Sequence, residues 1–333
     1  MDIKKVKTEL GKDWSGYQKV LVSALSNDNL FVSKINNYLI ENAGKQLRPV
    51  LSLLAAKACG SVNDLNYCCA AVAEMIHTAT LLHDDVADNG DLRRGVPTVK
   101  AIFGHAASVL AGDYWLARAL DLLTTCDPKI LACYTIAVQE LAEGELVQME
   151  KSETLDTTEE DYYKIISRKT ASLFIAATKS AVIAIGAPAE YVDAIVTYAY
   201  ELGLAFQIRD DIFDYTPSMD TGKIGGADIK ERKITLPLLC AMRSAPMNET
   251  ASIRKQMESI ENTLVKGSVA KDEEPRIINS VNDFVQKYNG VVLAQNILEQ
   301  HSLRAINSLS ILPESDAKKR LVELAEFVGT REK

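Results

Sequence analysis

Apolar residues recur at three- and four-residue spacing along nearly the whole chain, and runs alternating apolar with polar residues are hard to find. That is the period of α-helices with a buried face, not of strands. The pattern predicts helices over 16–24, 29–42, 47–59, 63–88, 98–125, 128–150, 158–186, 188–215, 234–243, 248–267, 274–289, 290–310 and 314–328. Pro128, Pro188 and Pro313 fall at or just before predicted starts, where a missing N–H is tolerated. Asp127 is placed to cap the helix that follows it, and the segment opened by Thr157 and Thr158, TTEED, reads as a capping box.

Several segments are apolar almost all round, among them LLAAKACG, AVAEMIHTATLL and LFIAATKSAVIAIGA. Helices of that kind belong in the middle of a bundle. Their small residues either let helices approach closely or leave room for something apolar between them, and the sequence leaves both open. No linker-like Gly/Ser/Pro tract divides the chain, so one all-α domain over 1–333, a single large helical bundle, is expected. The conspicuous break is 216–233, TPSMDTGKIGGADIKERK, which is polar, contains glycines and predicts a loop.

Composition narrows the class. Of 333 residues 47% are apolar and 25% charged, which fits a folded protein rather than a disordered one. The formal net charge of −8 argues against non-specific nucleic-acid binding. Six cysteines form no Cys-x-x-Cys pair, and with four histidines they lack zinc-ligand spacing. The start MDIKKVKTEL has no signal-peptide core, and no uncharged apolar run reaches the roughly 18 residues of a membrane span. A reduced, cytoplasmic setting is the expectation.

The sharpest feature is an acidic motif that occurs twice. Asp84, Asp85 and Asp88 lie in LLHDDVAD; Asp210, Asp211 and Asp214 lie in FQIRDDIFD. Residues i and i+4 share a helix face, so Asp84 and Asp88 point together, as do Asp210 and Asp214. Each motif follows an apolar stretch, which puts it at the rim of a buried region. Carboxylates so crowded, near the unfavourable C-terminal end of a helix, call for a cation. Oxygen-only ligands suit Mg²⁺, held by one or two carboxylates and by substrate phosphates.

Cations stand where a metal alone does not require them. Lys45 and Arg48, in GKQLRP, open a helix, where the dipole disfavours them unless an anion binds. Arg93 and Arg94 follow the first acidic motif and can bridge back to it or grip phosphate bidentately. Lys169 and Thr170 interrupt an apolar helix, and Gln207 lies one turn before Asp210. Lys223 and Lys233 sit on the polar loop, where closure could bring them onto a ligand. His77 lies two turns before Asp84; His83, His105 and His301 read as structural. No P-loop motif and no nucleophilic triad is present. Metal-assisted departure of diphosphate from an amphiphilic substrate remains.

The motifs GKQLRP, EMIHTATLLHDDVADNGDLRRG, GHAASVLAGDYWLARAL, SRKTASLF and FQIRDDIFDY followed by TGKIGGADIKERKITLPLL resemble those of the trans-isoprenyl diphosphate synthases, or polyprenyl synthetases. The resemblance runs from about Gly44 to Pro237 in motifs and over nearly the whole chain in helical pattern. It is greatest to the long-chain bacterial branch that makes polyprenyl tails for quinones. It implies an all-helical bundle around a central apolar cavity, usually homodimeric. It implies that Asp84, Asp88 and Asp210 ligate two or three Mg²⁺ ions, with Asp85, Asp211 and Asp214 supporting. Arg93, Lys169, Gln207, Lys223 and Lys233, with Thr170, would hold an allylic diphosphate such as farnesyl diphosphate. Lys45, Arg48, His77 and Arg94 would bind isopentenyl diphosphate. Membrane contact would be transient, for product release. One departure is visible: the family commonly has glycine before its last binding lysine, and here Arg232 precedes Lys233.

The product would grow along the helix that ends at Asp84. Ala79 lies about 7.5 Å and Thr80 about 6 Å down that axis, with Ile76 beyond. None is aromatic. In the family a bulky aromatic here floors the cavity and gives short products, so its absence implies a hepta- to nonaprenyl product, with octaprenyl central. Farnesyl or geranylgeranyl synthesis is the shorter-chain alternative. A terpene cyclase would share the first acidic motif, but its second is generally of Asn/Ser/Glu type and its pocket aromatic; aromatics here are 6%. A non-catalytic helical scaffold would show repeats of 30–50 residues, and an inactive subunit would have lost an acidic motif. Neither is seen.

Overall fold

Helix accounts for most of the chain, as the periodicity requires. A computed structural model describes residues 2–93, 95–216, 225–260 and 274–330. In chain order the helices are α1 Ile3–Leu10, α2 Lys12–Leu25, α3 Leu30–Glu41, α4 Leu47–Cys59, α5 Asp64–Ala87, α6 Val99–Phe103, α7 His105–Leu123, α8 Pro128–Thr154, α9 Glu159–Ile166, α10 Ser172–Ala184, α11 Ala189–Asp214, α12 Ala227–Lys230, α13 Leu236–Ser244, α14 Met247–Glu258, α15 Glu274–Lys287, α16 Gly290–Ser308 and α17 Asp316–Thr330. A two-residue antiparallel ladder, β1 Leu92–Arg93 with β2 Val96–Pro97, follows α5.

Local chemistry explains the boundaries. Asp127 Oδ1 accepts the Lys129 N–H at 2.7 Å, and Thr158 with Asp161 forms the expected capping box at α9. Two long predicted helices are interrupted. The run over 98–125 divides at Gly104, whose φ of 91° is open to glycine and ends α6. The run over 158–186 changes pitch, because Ser167–Ala171 form a π-helical turn between α9 and α10. Such turns cluster at functional sites. The helix predicted over 248–267 stops at Glu258, and 261–267 lie outside the described residues. The periodicity did not reveal α1, which Asp2 caps and which buries Val6 and Leu10. Nor did it reveal α12, where the end of the predicted loop folds into one turn anchored by the fully buried Ile229; residues 217–224 of that loop lie outside the described residues.

The chain divides into two units. The first comprises Met1–Val138, Leu173–Val196 and Leu309–Glu323. Its centre is α5, buried from Cys69 to Ile76 and packed by α2, α4 and α7. Polar links fix it there: Asn66 donates to the Ala181 carbonyl at 2.8 Å, and Tyr134 to the Cys69 carbonyl at 2.6 Å. Close approach to α7 needs Gly112, where a methyl would stand 2.4 Å from His83 Nε2 and 3.1 Å from the Ala79 carbonyl oxygen.

The second unit comprises Gln139–Ser172, Thr197–Ser308 and Leu324–Lys333. One apolar cluster joins α12 to α15 through Ile229, Leu238, Met257, Val281 and Val285. Another packs Tyr162, Ile166, Ala171, Leu204, Ile208, Leu236 and Leu298. The π turn is held between glycines. A methyl at Gly144 would lie 2.9 Å from Lys169 Cγ, and one at Gly203 would lie 2.6 Å from Ala171 Cα.

Gly203→Ala tests that contact. Helix propensity alone favours alanine by about 1 kcal/mol. The clash is with backbone, which no rotamer relieves, so a net loss of about 1–3 kcal/mol is expected. Urea denaturation measures it, and an unchanged or raised midpoint contradicts the packing.

Candidate functional site

In the first unit α5 delivers the first acidic motif to its own C-terminal end. Asp88 is the C-cap, and its N–H donates to the Asp84 carbonyl at 2.8 Å. Asn89 takes a left-handed φ of 52°, while the Gly90 and Asn89 N–H groups reach back to the Asp85 and Val86 carbonyls. This is the Schellman closure of a helix. The three aspartates then part. Asp85 is buried and accepts from Arg93 Nε at 2.8 Å, whereas Asp84 is half-buried and Asp88 exposed. Of the two sequence options for Arg93, the structure therefore shows the bridge back to the acidic motif. The loop between is stiffened by Lys100, a buried cation bonded to Asn89 Oδ1 at 2.8 Å and paired with Asp91 at 3.0 Å.

The same unit carries Lys45, Arg48 and His77. Gln46, at a left-handed φ of 54°, starts α4; its amide accepts from Lys7 Nζ and donates to the Tyr17 hydroxyl. That holds the exposed Lys45 and half-buried Arg48 at the helix start, and the Arg48 guanidinium lies 5.0 Å from the Phe174 ring centre. His77 and Thr80 are half-buried, and the Thr80 hydroxyl donates to the His77 carbonyl. Ala79 and Ile76 are buried on α5. Arg94 and Lys223 lie outside the described residues.

In the second unit five of the predicted residues line one cavity of about 130 Å³: Lys169, Thr170, Gln207, Asp211 and Lys233. The π turn aims Thr170 at α11 and Lys169 at α8. Thr170 Oγ1 donates to Gln207 Oε1 at 2.8 Å, and Gln207 Nε2 donates to Asp211 Oδ1 at 2.9 Å. The other Asp211 oxygen accepts the Tyr162 hydroxyl at 2.6 Å. Lys169 Nζ donates to Gln148 Oε1 at 3.0 Å and pairs with Glu145; Lys233 pairs with Glu231. Asp210, on the neighbouring position, is exposed. Asp214 accepts the Ala227 and Asp228 N–H groups at 3.0 and 2.9 Å, and so caps α12.

Electrostatics set this cluster apart. Burial pushes Asp211 up to about 6; the Tyr162 and Gln207 hydrogen bonds oppose this, and the neighbouring Asp210 carboxylate adds to it. Burial, and then the Asp211 and Asp214 carboxylates, hold Asp228 well above the usual carboxylate range. Asp228, Gln148, Lys151 and Tyr162 line the cavity, and the sequence reading missed all four. Asp228 has a signal, being the acidic residue just after the Gly-Gly of the polar loop. The other three belong to ordinary helical patterns and carry none.

The turn that presents Lys233 is also closed by a Schellman pair. The Arg232 N–H bonds the Ile229 carbonyl at 3.0 Å and the Lys233 N–H bonds the Asp228 carbonyl at 2.7 Å. The residue between helix and lysine must therefore be left-handed, and Arg232 has φ of 58°. Glycine suits this position; arginine occupies it at a cost of about 1 kcal/mol.

The family model for polyprenyl synthetases matches residues 30–270. Over 326 residues the chain is 37% identical to an all-trans-nonaprenyl-diphosphate synthase (geranyl-diphosphate specific) of Rhodobacter capsulatus, covering 97% of this chain and 96% of that one. It is 33% identical to the octaprenyl diphosphate synthase of Escherichia coli K12 over the full length of both. A crystal structure of polyprenyl synthase from Caulobacter crescentus CB15, complexed with calcium and isoprenyl diphosphate, superposes with a TM-score of 0.87 at 32% identity, covering 99% and 98% of the two chains.

The raised Asp211 makes a pH prediction. An unfolded aspartate titrates near about 3.9, so between about 4 and 6 the native state holds the extra proton. Stability from this group therefore falls as pH rises through that window, and the full penalty stands above it. Asp211→Asn removes the titration. In metal-free buffer the wild-type thermal midpoint should lose ground to the variant's from about pH 4 to 6. A difference that stays flat across that range contradicts the burial argument.

Proposed function

The chain belongs to the polyprenyl synthetase family and is a prenyltransferase, and on that premise we propose that it is an all-trans-polyprenyl diphosphate synthase of long-chain type. It condenses isopentenyl diphosphate head-to-tail onto an allylic diphosphate such as farnesyl diphosphate, and the product is hepta- to nonaprenyl, with octaprenyl central. The observation that carries the reading is the cavity of the second unit, where Lys151, Lys169 and Lys233, the Thr170 hydroxyl and the amides of Gln148 and Gln207 converge beside Asp211 and Asp228. That is a receptor for an anion bearing its own metal ions.

The donor chemistry fits magnesium. Both acidic motifs offer oxygen only, and among the described residues no three His, Cys, Asp or Glu side chains converge as a cage. Mg²⁺ commonly takes one or two carboxylates and completes its shell with phosphate oxygens and water. Asp84, Asp88 and Asp210 would hold two or three ions, with Asp85, Asp211 and Asp214 supporting. Metal held by these carboxylates would supply neutralisation of the charge that develops on the departing diphosphate.

The chain's own residues do the rest. Lys169, Thr170, Gln207 and Lys233, with Arg93 and Lys223, bind and orient the allylic diphosphate. Lys45, Arg48, His77 and Arg94 bind the isopentenyl diphosphate. Tyr162 and Gln207 fix Asp211 through hydrogen bonds to both of its oxygens. Ile165, Ile166 and Ile234 give the cavity an apolar side that excludes water while the allylic cation exists. The double bond of isopentenyl diphosphate attacks that cation, and a proton is lost to the departing diphosphate. The growing chain passes Thr80, Ala79 and Ile76 on α5.

Self-association into a homodimer belongs to the same reading. It is supported by the exposed Ile102, Leu110, Leu120 and Ile136 of α6, α7 and α8 in the first unit. No helix among the described residues is long and apolar enough to cross a membrane, and the cytoplasm is the proposed location.

Diphosphate release from farnesyl and isopentenyl diphosphates should require Mg²⁺ and cease with EDTA. Chromatographic sizing of labelled product should give seven to nine isoprene units; a product stopping at farnesyl overturns the chain-length assignment. Ala79→Phe should shorten the product while turnover persists, and an unchanged length means that the chain does not grow past this position.

A further inference from the structure

Arg232 stands where the turn favours glycine, yet its side chain is fully engaged. The guanidinium makes hydrogen bonds to four main-chain carbonyls: Nε to Ser152 at 2.9 Å, Nη2 to Glu153 at 3.1 Å, and Nη1 to Glu258 at 3.1 Å and Ile260 at 3.0 Å. Ser152 and Glu153 lie in the last turn of α8, Glu258 ends α14, and Ile260 follows it. Carbonyls at helix ends lack intrahelical donors and carry the negative pole of the helix dipole. One planar cation thus closes two helix C-termini, and it does so from the residue adjacent to Lys233. Lysine could not replace it as a fork, because an ammonium is a point charge on a flexible stem.

The guanidinium, carried on the turn that presents Lys233, anchors that turn to the end of α8, which lines the cavity, and to the end of α14, which does not. The α8 wall contributes Gln148, which bonds Lys169, together with Lys151 and Ser152; the other wall is the Schellman turn that presents Lys233. We infer that Arg232 is a positioning residue for the diphosphate pocket: by tying its own turn to the end of α8, with the end of α14 as a second anchor, it sets the distance between Lys233 and the Lys169–Gln148 pair, and so the affinity for the allylic diphosphate. The inference rests on the reading of this cavity as the allylic site. It also explains how an arginine persists where the backbone prefers glycine.

Arg232→Gly separates the two roles of the residue. The left-handed turn is kept, because glycine favours it, and only the clamp is lost. The full-length enzyme should show KM for the allylic diphosphate raised about tenfold, with KM for isopentenyl diphosphate and kcat changed less than about twofold. Arg232→Lys keeps the charge and should give a smaller rise, about threefold. Circular dichroism confirms folding of each variant; if the glycine variant does not fold, the lysine variant decides alone. Unchanged allylic KM with only a lowered thermal midpoint makes Arg232 a structural staple and overturns the inference, as does an equal rise for both substrates. Absence of prenyl transfer by the wild type would instead sink the allylic reading itself.

Discussion

Two aspartates on adjacent turns of a helix repel, and burying a third beside them adds the cost of desolvation. The structure meets that cost with separate local devices. Asp85 turns inward onto Arg93, and Asp211 turns inward onto the Tyr162 hydroxyl and the Gln207 amide. Asp214 gives both oxygens to the backbone N–H groups that open α12. What is left toward solvent is Asp88 and Asp210, both exposed, with the half-buried Asp84. Each motif is thus split into carboxylates that organise the protein and carboxylates that face outward.

That split depends on how closely the helices approach. The π turn can press Thr170 toward α11 and Lys169 toward α8 only because Gly203 and Gly144 present no side chain to it. On α7 the same logic holds at Gly112, which leaves room for the His83 ring and the Ala79 carbonyl of α5. The small residues that left two readings open in the sequence therefore act, at these positions, as contact surfaces. Packing of this density transmits displacement, so a single methyl group at such a position is felt.

Much of this was legible beforehand. Most of the helices, the caps at Asp127 and Thr158 and both acidic motifs followed from spacing and chemistry; Lys169, Thr170, Gln207 and Lys233 stood out there as well, and the family resemblance grouped them as a diphosphate site. What escaped did so for physical reasons. A π turn has the composition of an α-helix, and its extra residue shows only in the backbone. The turn α12 is too short for periodicity to register. Gln148, Lys151 and Tyr162 acquire their role from neighbours distant in sequence, and nothing in a local pattern marks them. Arg232 was legible only as a departure from the family pattern; the four carbonyls that give it a role come from α8, α14 and the residue beyond α14.

The π turn also bears on how this segment tolerates change in length. Five residues there fill the space that an ordinary helix would fill with four, so Ser167–Ala171 holds one residue in surplus. Loss of any one of them would let the run close as plain α-helix, without breaking the rod, and would displace the side chains of the turn itself. Thr170 would swing off Gln207 while the helix stayed intact. A shortening that looks harmless to secondary structure would therefore dismantle the anion receptor, which makes the surplus residue part of the site's design rather than slack in the chain.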